Sequence, residues 1–315
     1  MTRARRVHVF PGQGSQRAGM GADLFARYRV ELAAADATLG YSVEELCMDD
    51  GGRLDDTAYT QPALYVVNAL KHLDELASGQ KPDYAAGHSL GEYNALLAAG
   101  AFDFVTGLRL VQKRGELMAR VRGGGMGAVV GLSEGELRSE LARGGLDQVD
   151  IANFNSPTQL VISGPLAEVL RAAAHITAAC DAEVRMLRVS GAFHSRYMAP
   201  AQAEFASFLR GFRFEPLRIP VLSNAFARPY EDGAIAETLA AQIASPVRWT
   251  EIASQLLALD EVEIREIGAG KTLSALFRQL RAHRAREREE AERAALASAT
   301  TIEADTLAAG ATCPS

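Results

Sequence analysis

Cysteine is scarce in this chain of 315 residues: three thiols, Cys47, Cys180 and Cys313, with no C-x-x-C spacing. That scarcity argues against a disulfide framework or a cysteine-built zinc site, and it fits a reducing cytoplasm. Long apolar runs are also missing; none approaches the roughly 18–20 residues a membrane-crossing helix needs. Behind the basic start Met1-Thr2-Arg3-Ala4-Arg5-Arg6, only Val7-His8-Val9-Phe10 precedes Pro11, too short for the core of a signal peptide. Positive charge is not in excess: 33 Lys and Arg against 39 Asp and Glu leave a net charge of −6, which argues against nucleic acid as a partner. The phosphate-loop pattern G-x-x-x-x-G-K-[ST] is absent, since the Gly-rich stretches at 10–16 and 268–271 both fail it. What is present, 48% hydrophobic and 23% charged residues, is ordinary globular composition for one large domain or two smaller ones.

Short apolar runs alternate with helical stretches from residue 7 to about 120. Residues 7–10 read as a strand, and 62–73 and 104–118 as amphipathic helices with apolar positions every three to four residues. Such alternation predicts an α/β fold with a parallel sheet. After Gly123-Gly124-Gly125 the pattern becomes self-contained. Strands are expected at 126–132, 149–153, 159–163 and 182–189, and helices at 133–142 and 166–179. That β-α-β-β-α-β order is ferredoxin-like. The expected organisation is a discontinuous large domain, 1–123 with 190–280, and an inserted small subdomain, 124–189. Within 190–280, helices are expected at 201–211 and 234–243 and strands at 219–223 and 264–267. From Arg278 the composition turns to alternating Arg and Glu, then to Ala, Ser and Thr, so 281–315 reads as a charged, solvated helix fraying into a flexible tail.

The chemistry is carried by Gly87-His88-Ser89-Leu90-Gly91, a G-x-S-x-G pattern between the strand end Tyr84-Ala85-Ala86 and a helix-forming run that stops at Gly100. A strand, a sharp turn and a helix expose a serine hydroxyl at the tip, with free backbone N–H groups of the helix start beside it. Serine needs a base within about 2.6–3.2 Å. Of six histidines, His72 and His175 lie in helical runs, His283 in the charged tail and His8 in the first strand. His88 adjoins the serine and points away from it. His194, in the loop Ser190-Gly191-Ala192-Phe193-His194-Ser195 directly after a strand, is the candidate base. The turn Pro11-Gly12-Gln13-Gly14, after the first strand, suits a backbone donor to an oxyanion.

With Ser89, His194 and Gln13 in view, the chain from about residue 7 to 280 resembles the malonyl-CoA:acyl-carrier-protein transacylases, including the free-standing acyltransferases that serve polyketide synthases in trans. The resemblance rests on Pro11-Gly12-Gln13-Gly14-Ser15-Gln16, Gln61-Pro62-Ala63, Gly87-His88-Ser89-Leu90-Gly91-Glu92 and Arg114-Gly115. It continues through Asn155-Ser156-Pro157, Gly191-Ala192-Phe193-His194 and Ser245-Pro246-Val247-Arg248-Trp249. It implies an α/β-hydrolase-like large domain with an inserted ferredoxin-like subdomain. By the same resemblance Ser89 is the nucleophile, His194 its base, and the N–H groups of Leu90 and Gln13 form the oxyanion hole. Arg114 holds the malonyl carboxylate, a role suited to a planar guanidinium. Gln242 orients the histidine, making a Ser-His dyad without an aspartate. His88, Asn155 and Phe193 line the site, and Phe193 fills the space an α-methyl group needs.

The implied reaction is ping-pong: malonyl-CoA acylates Ser89, CoA leaves, and the phosphopantetheine thiol of an acyl carrier protein takes the malonyl group. No bound cofactor and no metal is implied, and a cytoplasmic monomer is expected. Leu39–Leu46 and Tyr65–Ala69 resemble the trans-acting polyketide enzymes more than the housekeeping fatty-acid transacylase. A proofreading hydrolase that clears acyl groups from carrier proteins is the other alternative, and Arg114 separates the two, since neutral acyl chains need no carboxylate clamp.

Overall fold

A computed structural model describes residues 3–48 and 52–310, those from 294 onward as helical backbone only; residues 1–2, 49–51 and 311–315, with Cys313, lie outside the described residues. The strands are β1 (Arg5–Phe10), β2 (Tyr84–Gly87), β3 (Gly124–Val130), β4 (Asp150–Ser156), β5 (Gln159–Pro165), β6 (Glu183–Met186), β7 (Val221–Leu222) and β8 (Val262–Glu266). They form two four-stranded sheets. The fold is mixed α/β.

The first sheet, β7-β2-β1-β8, is parallel throughout. Both of its faces are covered, as parallel sheets require. On β1, Val7 and Val9 point into a cluster with Trp249, Ile252, Leu276 and Phe277, and Phe10 points into the larger opposite cluster. The helices Thr57–Ala77, Gly91–Ala99 and Phe104–Arg120 pack on that opposite side. The C-terminal ends of β1 and β2 therefore open at one edge, where parallel α/β sheets carry their ligand sites.

The second sheet, β4-β5-β3-β6, is antiparallel. Helices Glu134–Arg143 and Leu166–Ala179 bury Leu137, Leu141, Val169 and Ile176 against Val129, Leu160 and Ile162. Ser133 and Glu136 form a capping box at the start of the first of these helices. The second sheet docks on loops of the rest of the chain. Phe154 N–H donates to Val247 O at 2.9 Å, Val247 N–H donates to Ala152 O at 2.8 Å, and a Cβ on Gly124 would lie 2.2 Å from Ala192 N.

Element ends moved from their sequence expectation for local reasons. The helix expected at 62–73 spans Thr57–Ala77, because Asp56 caps Ala58 N–H and Pro62 lies inside the helix instead of opening it. The strand expected at 219–223 shrinks to Val221–Leu222, with Pro220 before it, a residue lacking an N–H for the ladder. The strand expected at 182–189 keeps its ladder only over Glu183–Met186. The segment read as a solvated helix leading into a tail belongs to helix Thr272–Gly310.

Candidate active site

Ser89 sits between β2 and helix Gly91–Ala99 with φ 52°, in the left-handed region that a residue with a Cβ seldom enters. The flanking glycines make the turn possible. A Cβ on Gly87 would lie 1.9 Å from Gly91 C, and one on Gly91 would lie 2.0 Å from Phe10 O. Asn224 holds the turn from outside: its Oδ1 accepts from Ser89 N–H at 2.6 Å and its Nδ2 donates to Gly87 O at 2.7 Å.

His194 is buried, also at positive φ (56°), and its Nε2 lies 2.7 Å from Ser89 Oγ. Its Nδ1 is 3.1 Å from both Gln242 O and Ser245 O. Carbonyls only accept, so Nδ1 carries the proton and Nε2 presents a lone pair to the serine hydroxyl. Burial, with Arg114 and His88 adding to it, holds His194 down to about 3, against the pull of the two carbonyls. The imidazole is therefore neutral near pH 7 and able to accept a proton.

Arg114, on helix Phe104–Arg120, is only 1% exposed. Its Nη1 donates to Gln61 Oε1 at 2.6 Å, and its Nη2 to Gln242 Oε1 at 3.0 Å and Ser89 Oγ at 3.1 Å. The guanidinium lies 5.6 Å from the centre of the Tyr93 ring. Each of its hydrogen-bond partners among the described residues is neutral. A buried cation beside a nucleophile, without a carboxylate of its own chain in contact, is suited to receiving an anion.

Gln242 is split between two tasks. Its backbone carbonyl meets His194, while its side chain donates from Nε2 to Ser89 O at 2.8 Å and Glu92 Oε2 at 2.9 Å. Glu92 is fully buried and also accepts from Asn224 N–H at 3.0 Å and from the Tyr230 hydroxyl. Burial pushes Glu92 up to about 7, opposed by these donors and by Arg114.

Gln13 and Leu90 line the cleft beside Ser89, and neither N–H has a hydrogen-bond partner among the described residues. The Gln13 side chain is occupied, accepting from the Thr57 hydroxyl. His88 turns away from Ser89, with Nε2 2.7 Å from Asn155 Oδ1 on β4 and its ring tilted 5.6 Å from Trp249. Phe193 is buried on the cleft wall. The structure thus brings all nine residues singled out in the sequence to one cleft region: Ser89, Leu90, Gln13, His88, Arg114, Asn155, Phe193 and His194 line it, and Gln242 lies directly behind. Glu92, Asn224, Tyr230 and the role of Gln61 were missed. Gln61 and Glu92 stand inside quoted motifs; Asn224 and Tyr230 carry no local signal.

The cleft holds about 480 Å³ and runs between the two sheets, with Met126, Ala128 and Val161 as its apolar wall opposite Ser89. Among the described residues no helix is long and apolar enough to cross a membrane, and no three or more His, Cys, Asp or Glu residues group as a metal site.

A family model described as acyl transferase domain matches residues 7–301. The polyketide biosynthesis malonyl CoA-acyl carrier protein transacylase BaeC of Bacillus velezensis is 49% identical over 278 residues, 87% of this chain and 96% of its own. The polyketide biosynthesis protein PksE of Bacillus subtilis is 50% identical over 87% of this chain, which spans only 36% of that longer relative. Among solved structures, a malonyl CoA-acyl carrier protein transacylase from Burkholderia pseudomallei is 50% identical with a TM-score of 0.86, covering 89% of this chain and 99% of that one.

Proposed function

The chain belongs to the acyl transferase domain family, and from that premise we propose that it moves a malonyl group from malonyl-CoA to the phosphopantetheine thiol of an acyl carrier protein. Ser89 Oγ attacks the thioester carbonyl while His194 Nε2 takes its proton. The carbonyl oxygen becomes an oxyanion facing the N–H groups of Leu90 and Gln13. The C–S bond then breaks, the CoA thiolate takes the proton from His194, and a malonyl ester remains on Ser89. In the second half the carrier thiol attacks that ester, gives its proton to His194, and Ser89 leaves with it. Arg114 binds the malonyl carboxylate in both halves. Malonyl-CoA is a substrate, and the chemistry needs no resident cofactor.

The observation that carries this reading is Arg114 Nη2 at 3.1 Å from Ser89 Oγ, buried and without an acidic partner in contact. A hydrolase for neutral acyl groups has no use for that cation. The kinship with polyketide transacylases supports service in trans to a polyketide synthase over a housekeeping fatty-acid role. The strand order and the covered second sheet support a ferredoxin-like subdomain at 124–189 inserted into an α/β-hydrolase-like domain of 1–123 and 190–280. The free thiols Cys47 and Cys180 support work in a reducing cytoplasm. We read the protein as a monomer there.

Intact-mass measurement tests the function. With a panel of acyl-CoAs, a malonyl adduct is expected on wild type and absent from Ser89→Ala, and holo carrier protein should discharge it with formation of malonyl-carrier. Release of the adduct to water with the carrier left unloaded identifies a hydrolase instead.

A further inference from the structure

Glu92 lies one hydrogen bond away from two of the site's partners without touching substrate space itself. Its carboxylate is buried on the first turn of helix Gly91–Ala99 and faces three donors: Asn224 N–H and Gln242 Nε2 at Oε2, and the Tyr230 hydroxyl at Oε1. Gln242 Nε2 has a second acceptor, Ser89 O, so both of its N–H groups are engaged. The amide cannot flip without setting its oxygen against Glu92 Oε2 and Ser89 O. With Nε2 committed, Oε1 is left facing Arg114 Nη2 at 3.0 Å. Arg114 is thereby tethered through an amide, and its charge is not consumed by a direct ion pair.

We propose that Glu92 is a positioning residue: through the Gln242 amide it sets where Arg114 presents its guanidinium beside Ser89. A carboxylate in direct contact with Arg114 would compete with the incoming acyl carboxylate. An amide relay fixes the same guanidinium and leaves it open to the substrate. The relay works by reach and acceptor geometry. Because Tyr230 can turn its hydroxyl to accept, a proton or an amide nitrogen at Oε1 leaves Oε2 still accepting from Gln242 and Asn224. His194 stands outside the relay, since Gln242 orients it through the backbone carbonyl.

The inference rests on the malonyl reading, and one experiment separates the two. Rates of Ser89 loading by malonyl-CoA and acetyl-CoA are measured by intact mass for wild type, Glu92→Gln, Glu92→Asp and Gln242→Met, with melting curves to confirm folding. Glu92→Gln keeps the reach and should recover most of the wild-type malonyl-to-acetyl ratio. Glu92→Asp keeps the carboxyl group and loses the reach. It and Gln242→Met should lower that ratio about 10- to 100-fold, through a raised KM for malonyl-CoA, as befits loss of a hydrogen bond to a buried charge. Equal ratios in Glu92→Asp and Glu92→Gln overturn the assignment. So does an unchanged ratio in Gln242→Met, which decides alone if Glu92→Asp does not fold. A wild-type protein that takes no malonyl group removes the functional reading, and this inference with it.

Discussion

The molecule buries histidine in two places, and the contrast between them says what turns a buried ring into a base. His8 on β1 and His72 on helix Thr57–Ala77 meet with Nδ1 atoms 3.2 Å apart and rings nearly perpendicular, packed against Phe10. One ring donates to the other, and His8 Nε2 has no partner among the described residues. Burial holds these rings down to about 3 and about 4. His194 is held down equally far, to about 3. Low basicity is thus common to both places and does not mark the site. The difference is in the outlets. His194 has Nδ1 fixed by two carbonyls, Nε2 on a hydroxyl, and an open cleft beside it. His8 and His72 have each other, the nearby charges of Arg6 and Arg265, and no place on the cleft.

The largest effects should come from the first place. His194→Ala is expected to slow acylation of Ser89 by roughly 10²–10⁴-fold, the usual range for loss of a general base. A loading rate within a few-fold of wild type would break the comparison at its root, because His194 would then be no more of a base than His72.

Arg114→Ala should come next. It is expected to depress kcat/KM for malonyl-CoA by about 10²–10³-fold while sparing acetyl-CoA, since removing one partner of a buried ion pair typically costs about 3–5 kcal/mol. Parallel steady-state kinetics on the two substrates check this. Equal losses in a folded protein would show that Arg114 supports the fold of the site and does not clamp a carboxylate.

How much of this was legible in the sequence depended on whether a residue's task is local. The serine turn was, because its demands fall on neighbours: Gly87 and Gly91 leave no room for a Cβ, and a strand and a helix flank them. His194 stood out by its loop. Arg114, in Lys113-Arg114-Gly115-Glu116, reads as surface charge; only its family resemblance singled it out, and tertiary packing buries it. Asn224 and Tyr230 were invisible, because their partners lie 132 to 138 residues away in sequence. His8 and His72 were legible only by element, a strand and a helical run; 64 residues separate them and nothing in either segment announces the pair. The parallel sheet followed from alternation, whereas strand ends such as Val221–Leu222 depended on neighbours in space.

The smallest effect should come from the sealed pair, and it is read in stability instead of turnover. A histidine whose folded pKa lies below its unfolded value of about 6.5 contributes stability that is fully present above that value and is lost as pH falls toward the folded one. For His8 and His72 the window runs from about 6.5 down to about 3 and about 4. Near pH 5 the unfolded chain binds protons that the folded chain excludes, at a cost on the order of 2 kcal/mol per ring. Replacing both rings with apolar side chains of similar size, His8→Leu with His72→Leu, removes that penalty and the unpartnered Nε2 together; deleting both members of a polar pair is often near neutral. The double variant should load malonyl at the wild-type rate near neutral pH. Between about pH 7.5 and about pH 5 its melting temperature should fall roughly 8–16 °C less than that of wild type, since about 1 kcal/mol moves the midpoint of a large domain by roughly 2–4 °C. Because His194 keeps its own depressed pKa, some acid sensitivity must remain. An acid slope identical to wild type would mean that the pair does not exclude protons. Loss of loading on the scale of His194→Ala would mean that the sealed histidines communicate with the cleft after all.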